Sequence, residues 1–245
     1  MRIVAIGGGE NGRTKILSDG TIKQYPFENT PINKKIIELS GKKNPNILIL
    51  GTAGNDLPSY TDFLITHFQS LGANVSELRL INNPPTIDSI RKILDNTDII
   101  YVGGGDTLLM INCWRRTGFD KLLKEYGDKG VILSGLSAGA ICWFEYYDND
   151  DYIKDETGKT DWEKLDFLPG LGFIKGFCVP HYDTKSESDR MYFNALLEKR
   201  GVTGYALDNC AAIIFDNGKI STITSQPNKN VYYLNPIQAK TQERD

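Results

Sequence analysis

One serine in the sequence stands where a nucleophile would be expected. The segment Gly135-Leu136-Ser137-Ala138-Gly139 fits the pattern G-x-S-x-G, with the apolar run VILS before Ser137 and AICWF after it. A strand that turns sharply into a helix exposes such a serine, and small neighbours leave room for the strained backbone of the turn. The pattern predicts a nucleophile at Ser137, and the simpler alternative is a serine that only caps the following helix.

A serine nucleophile needs a base, and the sequence holds only two histidines. His67 falls between Leu64 and Phe68 on the apolar face of a predicted helix, which is typical of a packing residue. His181 follows the apolar run FCVP, where a buried strand ends. We expect His181 at the carboxyl edge of the same sheet as Ser137, where open α/β sheets bind ligands, and therefore predict it as the general base.

Two further glycine clusters follow predicted strands. Gly103-Gly104-Gly105 precedes a helix but lacks the lysine and hydroxyl of a phosphate-binding loop, so its free N–H groups are better suited to a developing negative charge. The segment 7–12 fits G-x-G-x-x-G, yet a hairpin rather than a helix is predicted after it, so we expect a tight turn and no dinucleotide cofactor. The four cysteines form no CxxC pair, and we expect neither a disulfide framework nor a metal site.

Short apolar runs alternate with amphipathic ones along the chain, which predicts an α/β fold with a mainly parallel sheet and helices on both faces. Predicted strands are 2–6, 46–51, 75–80, 98–102, 130–134, 177–179, 205–208 and 211–215. Predicted helices begin near Thr30, Thr61, Ile87, Leu108, Leu122 and Ser186. Residues 17–24 read as a hairpin, residues 211–236 as a C-terminal ribbon and residues 237–245 as a frayed tail.

The composition and the strand-helix alternation indicate one domain spanning residues 1–245. With 28 basic and 31 acidic residues, the net charge of −3 cannot hold a nucleic acid or an anionic membrane surface. The N-terminal apolar stretch is too short for a signal peptide. We expect a cytoplasmic protein with no cofactor and no nucleic-acid or membrane partner; a homodimer is left open.

Three strings carry a family resemblance: GGGDT at 103–107, LSGLSAGA at 133–140 and PHYD at 180–183. Together they resemble the peptidase E (aspartyl dipeptidase) and cyanophycinase family of serine peptidases, over roughly residues 1–218. The resemblance implies a flavodoxin-like sandwich of the class I glutamine-amidotransferase type. It also implies a hydrolase that cleaves short peptides, such as dipeptides with an N-terminal or β-linked aspartyl residue.

The same resemblance implies roles for site residues. Ser137 is the nucleophile, His181 the base, and the N–H groups of Ala138 and of Gly104 or Gly105 form the oxyanion hole. The residue that orients the base departs from the family pattern, because the stretch reads Ala-Leu-Asp-Asn.

Either Asp208 or Asn209 fits the position of the residue that orients the base. A shift of one residue along the strand reverses the direction of the side chain. Asp150 is a further candidate acid in a very polar segment. Asp106 and Arg190 are candidate substrate-binding residues, although Arg190 could equally pair with Glu187 or Asp189.

Two alternatives remain at this point. An α/β-hydrolase-type esterase would use the order Ser137, Asp150 and His181, but its histidine normally lies closer to the C-terminus. A catalytically weakened binding or regulatory module of the same fold is favoured if Asn209, a neutral residue, orients the base.

Overall fold

The computed structural model describes residues 1–148, 157 and 167–235. The strands are β1 (Arg2–Ile6), β2 (Thr14–Ile16), β3 (Ile22–Gln24), β4 (Asn46–Leu50), β5 (Asn74–Leu78), β6 (Ile99–Val102), β7 (Ile132–Leu136), β8 (Phe144–Asp148), β9 (Phe167–Pro169), β10 (Ile174–Val179), β11 (Gly204–Leu207), β12 (Ala211–Asp216), β13 (Lys219–Thr224) and β14 (Val231–Leu234). The helices are α1 (Thr30–Leu39), α2 (Pro58–Ser70), α3 (Ile87–Leu94), α4 (Thr107–Thr117), α5 (Phe119–Asp128), α6 (Ala138–Ile141) and α7 (Glu187–Arg200).

A seven-stranded sheet forms the centre of the fold, in the order β13-β12-β1-β7-β6-β4-β5. Its β1, β7, β6, β4 and β5 run parallel, and β12 is antiparallel to both of its neighbours, β1 and β13. One face packs against α1 and α2 through Ile32, Ile36 and Phe68. The other face packs against α3, α4 and α5, in the cluster that holds Met110 and Trp114. The predicted α/β class with helices on both faces is confirmed.

The register of the central sheet brings the three glycine clusters together. Ile6 of β1 lies beside Leu136 of β7, and Val102 of β6 lies beside Gly135. The loops that follow β1, β6 and β7 therefore leave the same sheet edge as neighbours.

A second sheet, in the order β14-β11-β10-β8-β9, was not predicted from the sequence. The run after Ser137 was predicted as one helix, but α6 ends at Ile141 and the chain then enters β8. Burial of Trp143 and Phe144 favours this strand. As a consequence His181 follows β10 of the second sheet, and the prediction that it lies on the edge of Ser137's own sheet was wrong.

Other segments differ less from expectation. The first hairpin is formed by β2 and β3, and the second by β12 and β13. The predicted C-terminal ribbon is divided, because β14 pairs with β11 in the second sheet. The tail at 237–245 lies outside the described residues. Within the described ranges no helix combines the length and the apolar character needed to span a membrane.

Candidate active site

Ser137 occupies a strained turn between β7 and α6. Its φ of 56° and ψ of −115° lie where L-residues are rarely found. The Ser137 N–H donates to the carbonyl of Ile6 at 2.9 Å, which ties the turn to β1. A Cβ on Gly135 would lie 2.3 Å from the carbonyl oxygen of Gly139, so the G-x-S-x-G glycines allow the close contact of helix and strand. Strain held by the surrounding structure is typical of a nucleophile.

His181 reaches Ser137 from the second sheet. Its Nε2 lies 2.8 Å from Ser137 Oγ, and its Nδ1 lies 2.7 Å from Asn209 Oδ1. The backbone N–H of His181 donates to the carbonyl of Gly7 at 3.1 Å, which joins the two sheets at the site. A Cβ on Gly8 would lie 2.3 Å from His181 Nδ1 and 2.2 Å from Asn209 Oδ1. The first glycine cluster thus makes room for the histidine and its partner.

Of the two candidates for orienting the base, Asn209 is the one that contacts the ring. The Asp208 carboxylate is buried and instead accepts the N–H of Asn230 at 2.9 Å. Both residues follow the last residue of β11, where a change of one position reverses the side chain. Asp208 therefore belongs to the packing between β11 and the loop before β14.

The carboxylate of Asp183 contacts Asn209, the residue that in turn contacts the base. Asp183 Oδ1 accepts the backbone N–H of Asn209 at 2.8 Å and its Nδ2 at 2.9 Å. Since Nδ2 is held by Asp183, Oδ1 must face His181, and Nδ1 of His181 must carry the proton. Nε2 is then an acceptor for the Ser137 hydroxyl.

Asp183 is itself held by Lys229, whose Nζ lies 2.5 Å from Asp183 Oδ2. Burial alone would raise the pKa of the Asp183 carboxyl, but the hydrogen bond from Lys229 and the N–H of Asn209 lower it below its usual value. The carboxylate is therefore ionised at neutral pH.

These residues border a cavity of about 540 Å³, which Ser137 and His181 line. Two cationic side chains line it as well, and both are paired: Arg13 with Glu10, and Lys229 with Asp183. Glu28 also lines the cavity. It accepts hydrogen bonds from neutral groups: the N–H of Glu10 at 2.8 Å, the side-chain amide of Gln226 at 3.0 Å and the thiol of Cys210 at 3.6 Å. The cavity is large enough for a short peptide and presents charges of both signs.

The predicted oxyanion donors have different environments. Ala138 is the first residue of α6, so its N–H has no acceptor within the helix. Gly104 lines the cavity, but its N–H donates to the hydroxyl of Tyr60 at 2.8 Å. Gly105 packs against the backbone of Ala53, where an added Cβ would lie 2.2 Å from the carbonyl oxygen.

The predicted substrate-binding residues lie apart from the cavity lining. The Arg190 guanidinium stacks on the Tyr182 ring at 4.6 Å and donates to the Tyr182 carbonyl at 3.0 Å. Asp106 caps α4 by accepting the N–H of Leu109 at 2.8 Å. Neither side chain is brought to Ser137. Asp150 lies outside the described residues.

The second histidine is a packing residue, as its position on the helix indicates. The ring of His67 is buried and stacks on Phe27, with centroids 4.0 Å apart. Burial lowers the pKa of this histidine. His67 therefore stays neutral within the apolar layer under α2.

The sequence profile of peptidase family S51 matches residues 15–223 of the chain. The chain belongs to peptidase family S51. As an S51 member it is a serine peptidase, a hydrolase of peptide bonds, which confirms the family resemblance and excludes the α/β-hydrolase-type esterase.

Relatives of this S51 peptidase are also named as peptidases. The uncharacterized peptidase YgaJ of Bacillus subtilis is 34% identical over 232 residues, which cover 94% of this chain and 90% of YgaJ. A crystal structure from Listeria monocytogenes, assigned provisionally to peptidase E, has a TM-score of 0.65 at 21% identity and covers 91% of this chain and 98% of its own. A peptidase structure from an acI-B1 actinobacterium has a TM-score of 0.71 at 17% identity, with coverages of 96% and 91%. The two structures show that the fold is shared.

Sequence reasoning missed three residues of this S51 peptidase that the structure places at the site. Asp183 lies in the PHYD motif, two positions after His181, but the residue it contacts, Asn209, is 26 positions away in the sequence. Lys229 and Tyr60 carry no local motif. Only their distance in space to Asp183 and Gly104 identifies them.

Proposed function

We propose that this S51 peptidase hydrolyses short peptides through an acyl-enzyme on Ser137. The observation that carries this proposal is the continuous line of contacts from Ser137 Oγ to His181 Nε2 at 2.8 Å and from His181 Nδ1 to Asn209 Oδ1 at 2.7 Å. A nucleophile, a base and a group that orients the base are the elements that serine catalysis needs.

In the proposed reaction Ser137 Oγ attacks the peptide carbonyl carbon while His181 Nε2 takes the hydroxyl proton. The carbonyl π electrons move to oxygen, and nearby N–H donors, including that of Ala138, stabilise the resulting oxyanion. The C–N bond then breaks as His181 returns the proton to the leaving amine. A water molecule, deprotonated by His181, attacks the ester and releases the acid and Ser137.

A negative charge lies near the base, although the side chain of Asn209 is neutral. Asn209 connects His181 to the Asp183 carboxylate, at hydrogen bonds of 2.7 Å and 2.9 Å. Polarisation along such a chain stabilises the imidazolium that forms when Ser137 is deprotonated. Asp183 is proposed as a positioning residue that does through Asn209 what a direct acid does in other triads.

We predict that Asp183→Asn lowers kcat about 10-fold and leaves KM within about 3-fold. The new amide still offers an oxygen to Asn209, while its NH2 replaces the oxygen that accepts from Lys229, so the negative charge and the Lys229 ion pair are lost and the contact with Asn209 is kept. Asp183→Ala also releases the Asn209 amide to rotate, and we expect a loss of about 100-fold or more, because the tautomer of His181 is no longer fixed. Steady-state kinetics of both variants measures the two effects. Equal activities for the wild type and both variants would contradict the role of Asp183.

The proposed substrates are short peptides with an N-terminal or β-linked aspartyl residue, as the peptidase E resemblance implies. Arg13 is the cavity cation proposed to receive a substrate carboxylate, because Lys229, which also lines the cavity, is held by Asp183. The pair of Arg13 with Glu10 is exposed and bidentate, with contacts of 2.8 Å and 2.7 Å. Solvent screens an exposed pair, and a substrate carboxylate can offer Arg13 the same bidentate geometry, so it can take the place of Glu10.

The test is hydrolysis of a panel of dipeptides that share a leaving residue and carry aspartyl, β-aspartyl, asparaginyl or alanyl groups at the N-terminus. We expect the wild type to prefer the acidic members. Arg13→Gln is expected to raise KM for these members about 10-fold and to leave the neutral ones unchanged. Arg79→Gln is the matched control, since Arg79 forms an exposed pair with Glu77 away from the cavity lining. No preference for acidic members, or the same KM for Arg13→Gln and wild type, would contradict this specificity.

A further inference from the structure

The hydroxyl of Tyr60 occupies the position where the second glycine cluster was expected to bind an oxyanion. Tyr60 lies in the first turns of α2, and its ring packs on the loop after β6. A Cβ on Gly103 would lie 2.5 Å from Tyr60 Cε1 and 2.9 Å from its hydroxyl oxygen. The N–H of Gly104 donates to that oxygen at 2.8 Å. The N–H is therefore satisfied within the protein.

The same loop is next to the nucleophile. A Cβ on Gly104 would lie 3.3 Å from Ser137 Cβ, so the loop after β6 passes close to the side chain of Ser137. Tyr60, Gly104 and Ser137 all line the cavity. A substrate carbonyl that Ser137 attacks must place its oxygen close to this loop.

A tyrosine hydroxyl has one proton to donate besides its lone pairs. One lone pair of Tyr60 accepts the Gly104 N–H, and the proton remains for another acceptor. Donation to the phenol oxygen also makes its O–H a stronger donor, because hydrogen bonds in a chain polarise one another. Burial raises the pKa of Tyr60, although the Gly104 N–H and the Asn11 amide act in the opposite direction, so the phenol keeps its proton at neutral pH.

We propose that the hydroxyl of Tyr60, rather than the N–H of Gly104, is the second donor of the oxyanion hole, together with the N–H of Ala138. In the reaction the Tyr60 proton stays on the phenol and forms a hydrogen bond that is strongest when the carbonyl oxygen becomes an anion. Gly104 acts through Tyr60 by holding and polarising its hydroxyl. This inference rests on the proposed function of Ser137.

The deciding variant is Tyr60→Phe, which keeps the ring on Gly103 and removes only the hydroxyl. The hydroxyl of Tyr60 either donates to the oxyanion or only blocks the N–H of Gly104, and these two roles predict opposite results. If the hydroxyl is a donor, kcat falls by about 100-fold, the usual effect of losing one oxyanion donor, and KM changes by less than about 3-fold. Inhibition by a peptide aldehyde, which forms an oxyanion-like hemiacetal with Ser137, weakens by a similar factor. If Tyr60 only blocks Gly104, its removal frees that N–H, and kcat is unchanged or rises.

Tyr101→Phe is the matched control. Tyr101 is fully buried in β6, and its hydroxyl has no hydrogen-bond partner among the described residues. We expect its kcat and KM to stay within about 2-fold of wild type. A kcat loss under about 3-fold for Tyr60→Phe, or a loss confined to KM, overturns the role of Tyr60. If Ser137→Ala keeps full activity, both the proposed function and the role of Tyr60 fail. If Ser137→Ala is inactive while Tyr60→Phe equals wild type, the role of Tyr60 fails and the proposed function stands.

Discussion

Replacing Ser137 by alanine is expected to lower kcat/KM for peptide hydrolysis by about 10⁴- to 10⁶-fold, the range seen when a serine nucleophile is removed. The physical reason is that no other group at the turn can form the acyl-enzyme. The 2.8 Å contact of His181 Nε2 is made with Oγ itself, which alanine lacks. Because alanine retains the Cβ at the same strained φ, the fold is expected to survive. Progress curves at high enzyme concentration measure the residual rate.

Ser134→Ala is the control for this experiment. Ser134 stands on the same strand, β7, but its hydroxyl is buried and donates to the carbonyl of Ile100 at 2.9 Å. Loss of that bond costs about 1 kcal/mol of stability, and we expect activity within about 2-fold of wild type. Full activity in Ser137→Ala, with melting temperature and purity matched to wild type, would contradict the assignment of the nucleophile.

Replacing His181 by glutamine is expected to lower kcat by about 10³- to 10⁵-fold. Glutamine can still accept a hydrogen bond, but it cannot take the proton of Ser137 and return it to the leaving amine. The loss should fall on kcat, since the histidine acts on the reacting atoms rather than on distant parts of the substrate. Steady-state kinetics with the preferred dipeptide measures it.

His67→Leu provides the comparison, because it removes the other histidine of the chain. Its Nε2 is buried and has no hydrogen-bond partner in the described part of the chain, so an apolar side chain loses no polar contact there. We expect activity within about 2-fold of wild type. Loss of activity in His67→Leu together with retention in His181→Gln would reverse the assignment of the base.

The central sheet and the nucleophile could be predicted from local sequence. Strands buried on both faces leave continuous apolar runs, and β1, β4, β6 and β7 were each located within two residues at either end. The strand-turn-helix context of Ser137 is contained in ten consecutive residues, 132–141. Such features depend on neighbours in the chain, which the sequence displays directly.

The second sheet could not be predicted, because the run AICWF fits a helix and a strand equally well by periodicity. Packing decides: Trp143 stacks on Phe173, 30 residues away, with ring centroids 6.1 Å apart. The choice between Asp208 and Asn209 depended on one position of register at the end of β11. The carboxylate behind Asn209 comes from another loop, and only tertiary structure brings it within 2.9 Å.

The most direct test of the central claim is covalent modification of Ser137 by a fluorophosphonate, located by mass spectrometry of the intact protein and its peptides. An activated serine reacts rapidly with this reagent and an ordinary hydroxyl does not. We predict one adduct per chain, on the peptide that contains Ser137, and no adduct in Ser137→Ala or His181→Gln. An unmodified Ser137 in protein that hydrolyses peptides, or rapid modification at another residue, would contradict the account.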